Sequence, residues 1–160
     1  MTTQLTVVVP AAQRARWQDL ADFTAAHQLQ PRVLPRRVEP RRVLVVDDDA
    51  GIRSVVADAF EMEGYCVITA RNGAEALERV RASRPDAIVV DLMMPIMDGW
   101  QFLEACRNEA LCDGTPVVVM SAYRYLGQIG PDLGASACIA KPFDLDVLLG
   151  AVERLIQARA

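Results

Sequence analysis

The sequence predicts an α/β fold, a doubly wound parallel sheet with a small N-terminal extension. Three observations carry that expectation. From residue 42 onward, short apolar runs alternate with segments of helical period, and the alternation repeats five times. The central runs are apolar throughout, as parallel strands covered on both faces are. The runs also end in polar residues at the same relative place: Asp47, Asp48 and Asp49, then Asp91, then Ser121, then Lys141.

Each element follows from its own pattern. "RVLVV" reads as the first strand and runs into "DDD". Ile52, Val55, Val56, Ala59 and Phe60 then recur at three and four, one face of a helix that Asp49 opens and Gly64 closes. "YCVITA" is a strand, and "NGAEALERVRASRPD" a helix with Asn72 as its cap and Pro85 beyond its end. "AIVVD" is a strand, and "DGWQFLEACRNEA" a helix with Asp98 as its cap. "PVVVMSA" and "ACIAK" are strands. The last helix follows Pro142 and carries Leu145, Leu148, Leu149, Val152, Leu155 and Ile156 on one side. Between "VVVMSA" and "SACIAK", Gly127, Gly130 and Pro131 interrupt any helix, so a short or distorted one is expected there.

The composition changes near residue 42. Residues 1–42 hold seven Arg against Asp19, Asp22 and Glu39, whereas the remainder holds ten basic and eighteen acidic residues. The change coincides with "QPRVLPRRVEPRR", whose three prolines favour an extended linker. Two segments are therefore expected. Residues 1–41 form an extension with a strand at 4–9, a helix at 11–28 and the linker, and residues 42–160 form the α/β domain.

With 52% hydrophobic and 24% charged residues, the chain is globular in composition. A formal net charge of -4 gives no general reason to expect nucleic-acid binding, and an arginine-rich linker reads first as a solvated tether. No basic segment precedes an apolar core at the N-terminus, so no signal peptide is expected, and no apolar run is long enough to span a membrane. Cys66, Cys106, Cys112 and Cys138 are scattered without a C-x-x-C pair, which reads as reduced, mostly buried thiols in a cytoplasmic protein. His27 stands alone, far from them, so no zinc site and no phosphodonor role is expected of it.

Ligands of open α/β sheets bind beyond the carboxyl ends of the strands. Here those ends carry Asp47, Asp48, Asp91, Ser121 and Lys141. Clustered carboxylates repel one another unless a cation joins them, and Mg²⁺, a hard ion that prefers oxygen, suits them. A carboxylate beside Mg²⁺ can act as a nucleophile towards phosphorus. The incoming phosphoryl oxygens then need donors, which a metal, the Ser121 hydroxyl and the Lys141 ammonium would supply. Lys141 is the only lysine among seventeen Lys plus Arg. A compact point charge suits that place where a broad guanidinium fits poorly. Any one Asp at a strand end is usually only a turn residue or cap. The weight lies in four strand ends that converge on one chemistry.

The stretches "VLVVDDD", "DLMMPIMDG", "VVVMSA" and "AKPF" resemble, in combination and in order, the receiver domain of bacterial two-component response regulators. The resemblance covers residues 42 to about 157. It implies a flavodoxin-like five-stranded sheet in the order 2-1-3-4-5. It implies Asp91 as phosphoacceptor, Asp47 and Asp48 as the acidic pair that holds Mg²⁺ together with Asp91 and the Met93 backbone carbonyl, Ser121 as the switch hydroxyl and Lys141 as the phosphate-contacting lysine. It also implies a cis Lys141–Pro142 bond. Two departures stand out. Cys138 occupies the position three before the lysine, where the family usually has an aromatic residue, and the Ser121-to-Lys141 interval is a little shorter than usual. By the same resemblance Met93 and Tyr123 flank the approach of the water that hydrolyses the aspartyl phosphate. Neither places that water well, so slow self-dephosphorylation is expected.

Three functions follow. The first is a switch, not itself an enzyme, that accepts a phosphoryl group from a histidine kinase or phosphotransfer protein and then binds a downstream protein target or a second copy of itself as a homodimer. The second is a docking module with the same fold that signals without phosphorylation. The third is a Mg²⁺-dependent phosphatase with an aspartyl nucleophile. It ranks last, because such enzymes commonly need a second Asp two residues after the nucleophile, where this chain has Met93.

Overall fold

The protein is described by a computed structural model that covers residues 39–122 and 133–159. The chain divides into two units, Met1–Val38 and Glu39–Ala160, and all described residues belong to the second. The expected strand at 4–9, the helix at 11–28 and most of the linker lie outside the described residues. So do Tyr123 and most of the Gly-rich connection between the last two strands.

The elements run β1 (Arg42–Val46), α1 (Ala50–Met62), β2 (Cys66–Ala70), α2 (Gly73–Ser83), β3 (Ala87–Asp91), α3 (Gly99–Asn108), β4 (Val117–Ser121), β5 (Ala137–Ala140) and α4 (Leu145–Gln157). All strand pairs are parallel and the sheet order is 2-1-3-4-5, as the family resemblance implied. The three inner strands are apolar because both of their faces are covered. Leu44, Val46, Ile88, Val90 and Val119 pack with Leu77 and Val80 of α2 and Phe102 and Leu103 of α3. Val43, Val45, Val89, Val118 and Met120 point the other way, onto Val56 and Phe60 of α1 and Leu148 and Val152 of α4. One residue of register shift would exchange these two sets, so the pleat fixes which polar residue emerges at each strand end.

The caps act where the sequence placed them. Asp49 accepts from the N–H groups of Gly51 and Ile52, Asn72 from Glu75, and Asp98 from Gln101 in a reciprocal capping box. Gly64, with φ +85°, turns the chain after α1. One face differs from expectation. α1 buries Val56, Ala57 and Phe60, while Val55 is 53% exposed. The 3.6-residue period allowed either side of Val56, and the contact with α4 selected one.

The cysteines also depart from the reading of mostly buried thiols. Among them only Cys106 is buried; Cys112 and Cys138 are half-buried and Cys66 is exposed. Cys66 begins the edge strand β2, and Cys138 lies on the other edge strand, β5, where one flank has no neighbour.

Candidate functional site

The register brings the polar strand ends together. Val46 pairs with Val90, so Asp47 emerges beside Asp91. Asp91 pairs with Met120, and Ser121 follows it by one residue. Ser121 pairs with Ala140, so Lys141 is the first residue beyond β5, and its backbone N–H donates to the Ser121 carbonyl at 2.9 Å. The Lys141–Pro142 bond is cis. Four sequence-distant segments thus meet at one edge for a geometric reason: parallel strands finish together.

Lys141 lies at the centre. Its Nζ donates to Asp47 Oδ2 at 2.7 Å and to Asp91 Oδ2 at 2.5 Å. The other oxygens are held by backbone. Asp47 Oδ1 accepts from the Asp49 N–H at 2.9 Å, and Asp91 Oδ1 from the Met93 N–H at 3.1 Å. Both carboxylates are buried, Asp47 fully and Asp91 to 5% exposure, and Ser121 is fully buried as well. Asp48 is the exposed member, and carboxylate oxygens of Asp47, Asp48 and Asp91 all lie within 4.8 Å of one another.

Burial pushes the Asp47 carboxyl above its ordinary value, although the Lys141 ammonium and the Asp49 N–H both pull it down. Burial acts against the charged Lys141 too, but its hydrogen bonds to Asp47 and Asp91 outweigh that and raise it. Three carboxylates face one ammonium, a formal excess of two negative charges. A divalent oxygen-seeking ion matches that excess and that donor set. The residues therefore fit Mg²⁺.

Two supporting residues escaped the sequence reading. Arg53 donates to the backbone carbonyls of Asp47 at 2.7 Å and Asp48 at 3.3 Å, which clamps the acidic turn from the first turn of α1. Its place four residues after Asp49 was a usable signal. Gly99 packs against the backbone of Asp91 and Leu92 so closely that any Cβ there would collide with the Asp91 carbonyl oxygen and the Leu92 Cα. Only glycine lets α3 begin against the end of β3. The Met93 side chain is 61% exposed beside the site. Next to Lys141, an apolar cavity of about 680 Å³ opens between α1 and α4, lined by Ile52, Val55, Val56, Pro142, Phe143 and Leu145.

A doubly wound sheet with a trio of carboxylates and a lysine at its carboxyl edge defines a class of Mg²⁺-compatible acidic sites. Comparison with known proteins narrows it. The profile described as "Response regulator receiver domain" matches residues 43–153, and the chain belongs to that family. It is 36% identical over 121 residues to sporulation initiation phosphotransferase F of Bacillus subtilis, covering 74% of this chain and 96% of that protein. It is 39% identical over 121 residues to response regulator MprA of Mycolicibacterium vanbaalenii, covering 74% of this chain and 51% of the relative. The chain thus spans about half the length of the MprA proteins it matches. Among solved structures, the receiver domain of a Francisella response regulator superposes with a TM-score of 0.70 at 33% identity, over 75% of this chain and 99% of that one. The chemotaxis response regulator CheY4 of Vibrio cholerae gives 0.68 at 34% identity, over 73% and 99%. The response regulator TrrA of Thermotoga maritima, solved in complex with Mg²⁺-BeF, gives 0.65 at 29% identity, over 72% and 98%.

Proposed function

We propose that this receiver domain accepts a phosphoryl group on Asp91 from a phosphohistidine of a histidine kinase or phosphotransfer protein, and that the aspartyl phosphate changes which partner the domain binds. One observation carries the reading: the Lys141 ammonium bridges the buried carboxylates of Asp47 and Asp91, with Asp48 completing a cluster of net negative charge.

In the transfer, an Asp91 carboxylate oxygen bonds to phosphorus as the bond from phosphorus to the donor nitrogen breaks, and the imidazole leaves with the electron pair. Most of the catalysis in such a step is positioning and charge neutralisation. The Met93 N–H and Lys141 orient the Asp91 carboxylate before reaction. Asp47, Asp48, Asp91 and the Met93 carbonyl would hold Mg²⁺, which when bound supplies positive charge to the transferred oxygens. Lys141 then exchanges its bond to Asp91 for one to the phosphoryl group. Ser121, one strand over, offers a hydroxyl to the same group, and its capture is the movement that partners would sense. The apolar cavity beside Lys141 suits a partner helix that brings its phosphohistidine to Asp91. The switch is not an enzyme of phosphoester turnover, because Met93 offers no acid or base to a leaving group. The full set of acidic residues, Ser121 and Lys141 favours phosphorylation over phosphorylation-independent docking.

Acetyl phosphate with Mg²⁺ should add one phosphoryl group to the intact chain, seen by mass spectrometry, and Asp91→Asn should abolish the addition. Unchanged mass of the parent protein, or labelling that survives Asp91→Asn, refutes the assignment.

A further inference from the structure

Parallel strands begin together as well as end together, and the helices that return from the carboxyl edge finish beside those beginnings. At this amino edge the chain gathers arginines. Arg41 precedes β1, Arg84 caps the end of α2, and Arg159 follows the end of α4. All three line one cavity of about 300 Å³, together with Pro85, Asp86 and Thr115. The carboxylate of Asp86 is already engaged. Its Oδ1 accepts from Arg41 at 3.0 Å and its Oδ2 from the Arg42 backbone N–H at 2.8 Å. Among the described residues, neither Arg84 nor Arg159 has an ion-pair partner. Three guanidiniums against one carboxylate leave an excess of two positive charges at the cavity. Local structure sets their places. Arg84 adopts φ +46°, with its N–H bonded to the Val80 carbonyl at 3.1 Å. Glycine suits that left-handed helix ending better, so arginine there supplies a guanidinium at the expense of strain. The Arg159 guanidinium passes over Gly114, where a Cβ would lie 3.0 Å from Arg159 Nη2. A cation near a helix end complements the helix dipole, which accounts for Arg84 or Arg159 singly. It does not account for two that line one cavity without a counter-charge, where like charges repel.

We propose that the cavity at the amino edge binds a small diphosphate anion, either inorganic pyrophosphate or the diphosphate of a nucleotide. A guanidinium presents paired N–H donors that match two phosphate oxygens, and two free guanidiniums match two linked phosphate groups. The Thr115 hydroxyl, bonded to the Pro85 carbonyl at a long 3.4 Å, is a further donor on the cavity wall. The basic charge is local. Glu63 and Glu153 line the adjoining cavity, which Arg41 also borders, and the whole chain carries a formal net charge of -4. A long polyanion such as DNA would meet those carboxylates, whereas a small anion stays clear of them. The site lies at the edge of the sheet opposite Asp91, and its occupation does not depend on phosphorylation there.

The test is calorimetric titration of the full chain with pyrophosphate in metal-free buffer, where saturable binding to a single site is expected. ADP, titrated in the same way, distinguishes the sources: tighter binding than pyrophosphate assigns the site to a nucleotide, and weaker binding to the inorganic anion. Arg84→Gln and Arg159→Gln should each weaken binding by about tenfold, since each removes a charge-assisted pair of hydrogen bonds. Arg84→Lys, which keeps the charge but not the fork, should fall between the parent and Arg84→Gln. Both arginines are exposed, so their replacement leaves the core intact. Absence of saturable binding with both probes overturns the proposal. So does an affinity that is unchanged when Arg84→Gln and Arg159→Gln are combined, or competition by chloride as strong as that by pyrophosphate itself.

Discussion

The two edges of this sheet carry charge under opposite conditions. At the carboxyl edge, Lys141 joins two carboxylates whose side chains are 0% and 7% exposed. At the amino edge, Arg41 meets Asp86 at 3.0 Å with side chains 48% and 32% exposed, and Arg84 and Arg159 line the same cavity of about 300 Å³. The bond lengths are similar, but the solvent is not. Water screens the Arg41 pair and would solvate either partner left alone. Lys141 is the counter-charge that the buried carboxylates of Asp47 and Asp91 share, so those groups answer for one another. A short ion pair therefore says little about energy until its burial is known.

Removal of the cation at each edge gives the widest separation. In metal-free buffer, Lys141→Met should lower the unfolding free energy by about 3 kcal/mol, because it leaves two buried carboxylates without their counter-charge. Arg41→Met should cost at most about 1 kcal/mol. Urea denaturation of both variants measures the difference, and equal losses would erase the contrast between the edges.

Metal should act at one edge only. Mg²⁺ at about a hundred times its Kd should raise the unfolding free energy by about 2.7 kcal/mol. Asp48→Asn should weaken that gain while leaving metal-free stability near that of the parent, since Asp48 is exposed. Thermal melts with EDTA and with Mg²⁺ show both. A gain that persists undiminished in Asp48→Asn places the ion elsewhere.

A neutral polar group at the carboxyl edge isolates burial from charge. Asn72 is 6% exposed and accepts from the Glu75 N–H at 2.9 Å as the cap of α2. Asn72→Ala should cost about 1 kcal/mol by chemical denaturation, well below Lys141→Met. A cost equal to the lysine's would mean that burial alone, not buried charge, sets the scale.

The smallest effect is a pH slope. The Arg71 backbone N–H, with Arg79, holds the Glu75 carboxyl below its ordinary value. A lowered carboxyl contributes stability above its unfolded value and loses it as pH falls through the folded value. Glu75→Gln should therefore lower the melting temperature slightly above neutrality and flatten the acid limb of melting temperature against pH, with no change of slope above neutrality. An unchanged acid limb would show that Glu75 is too well solvated to matter.

Much of the fold was legible because its signals are local. Strand runs, the capping residues Asp49, Asn72 and Asp98, and the turn at Gly64 each depend on neighbours within a few positions. The candidate site was half legible. Asp47, Asp48, Asp91, Ser121 and Lys141 stood at strand ends, and parallel topology obliges strand ends to meet. The side of α1 that buries Val56 was less readable, since Val55 and Ala57 compete for it and α4, far along the chain, decides.

The sequence by itself determined the elements, their caps and the acidic and basic residues at the strand ends, because period, turn chemistry and residue type are properties of short segments. Only the tertiary structure decided what those residues do to one another. Lys141 could have met Asp91 alone; the register put Asp47 equally near, and burial made the three one electrostatic unit. Arg53 became a clamp only once the acidic turn curled over the start of α1. Each is a contact whose energy depends on distance and on excluded water, and neither quantity exists until the chain is folded.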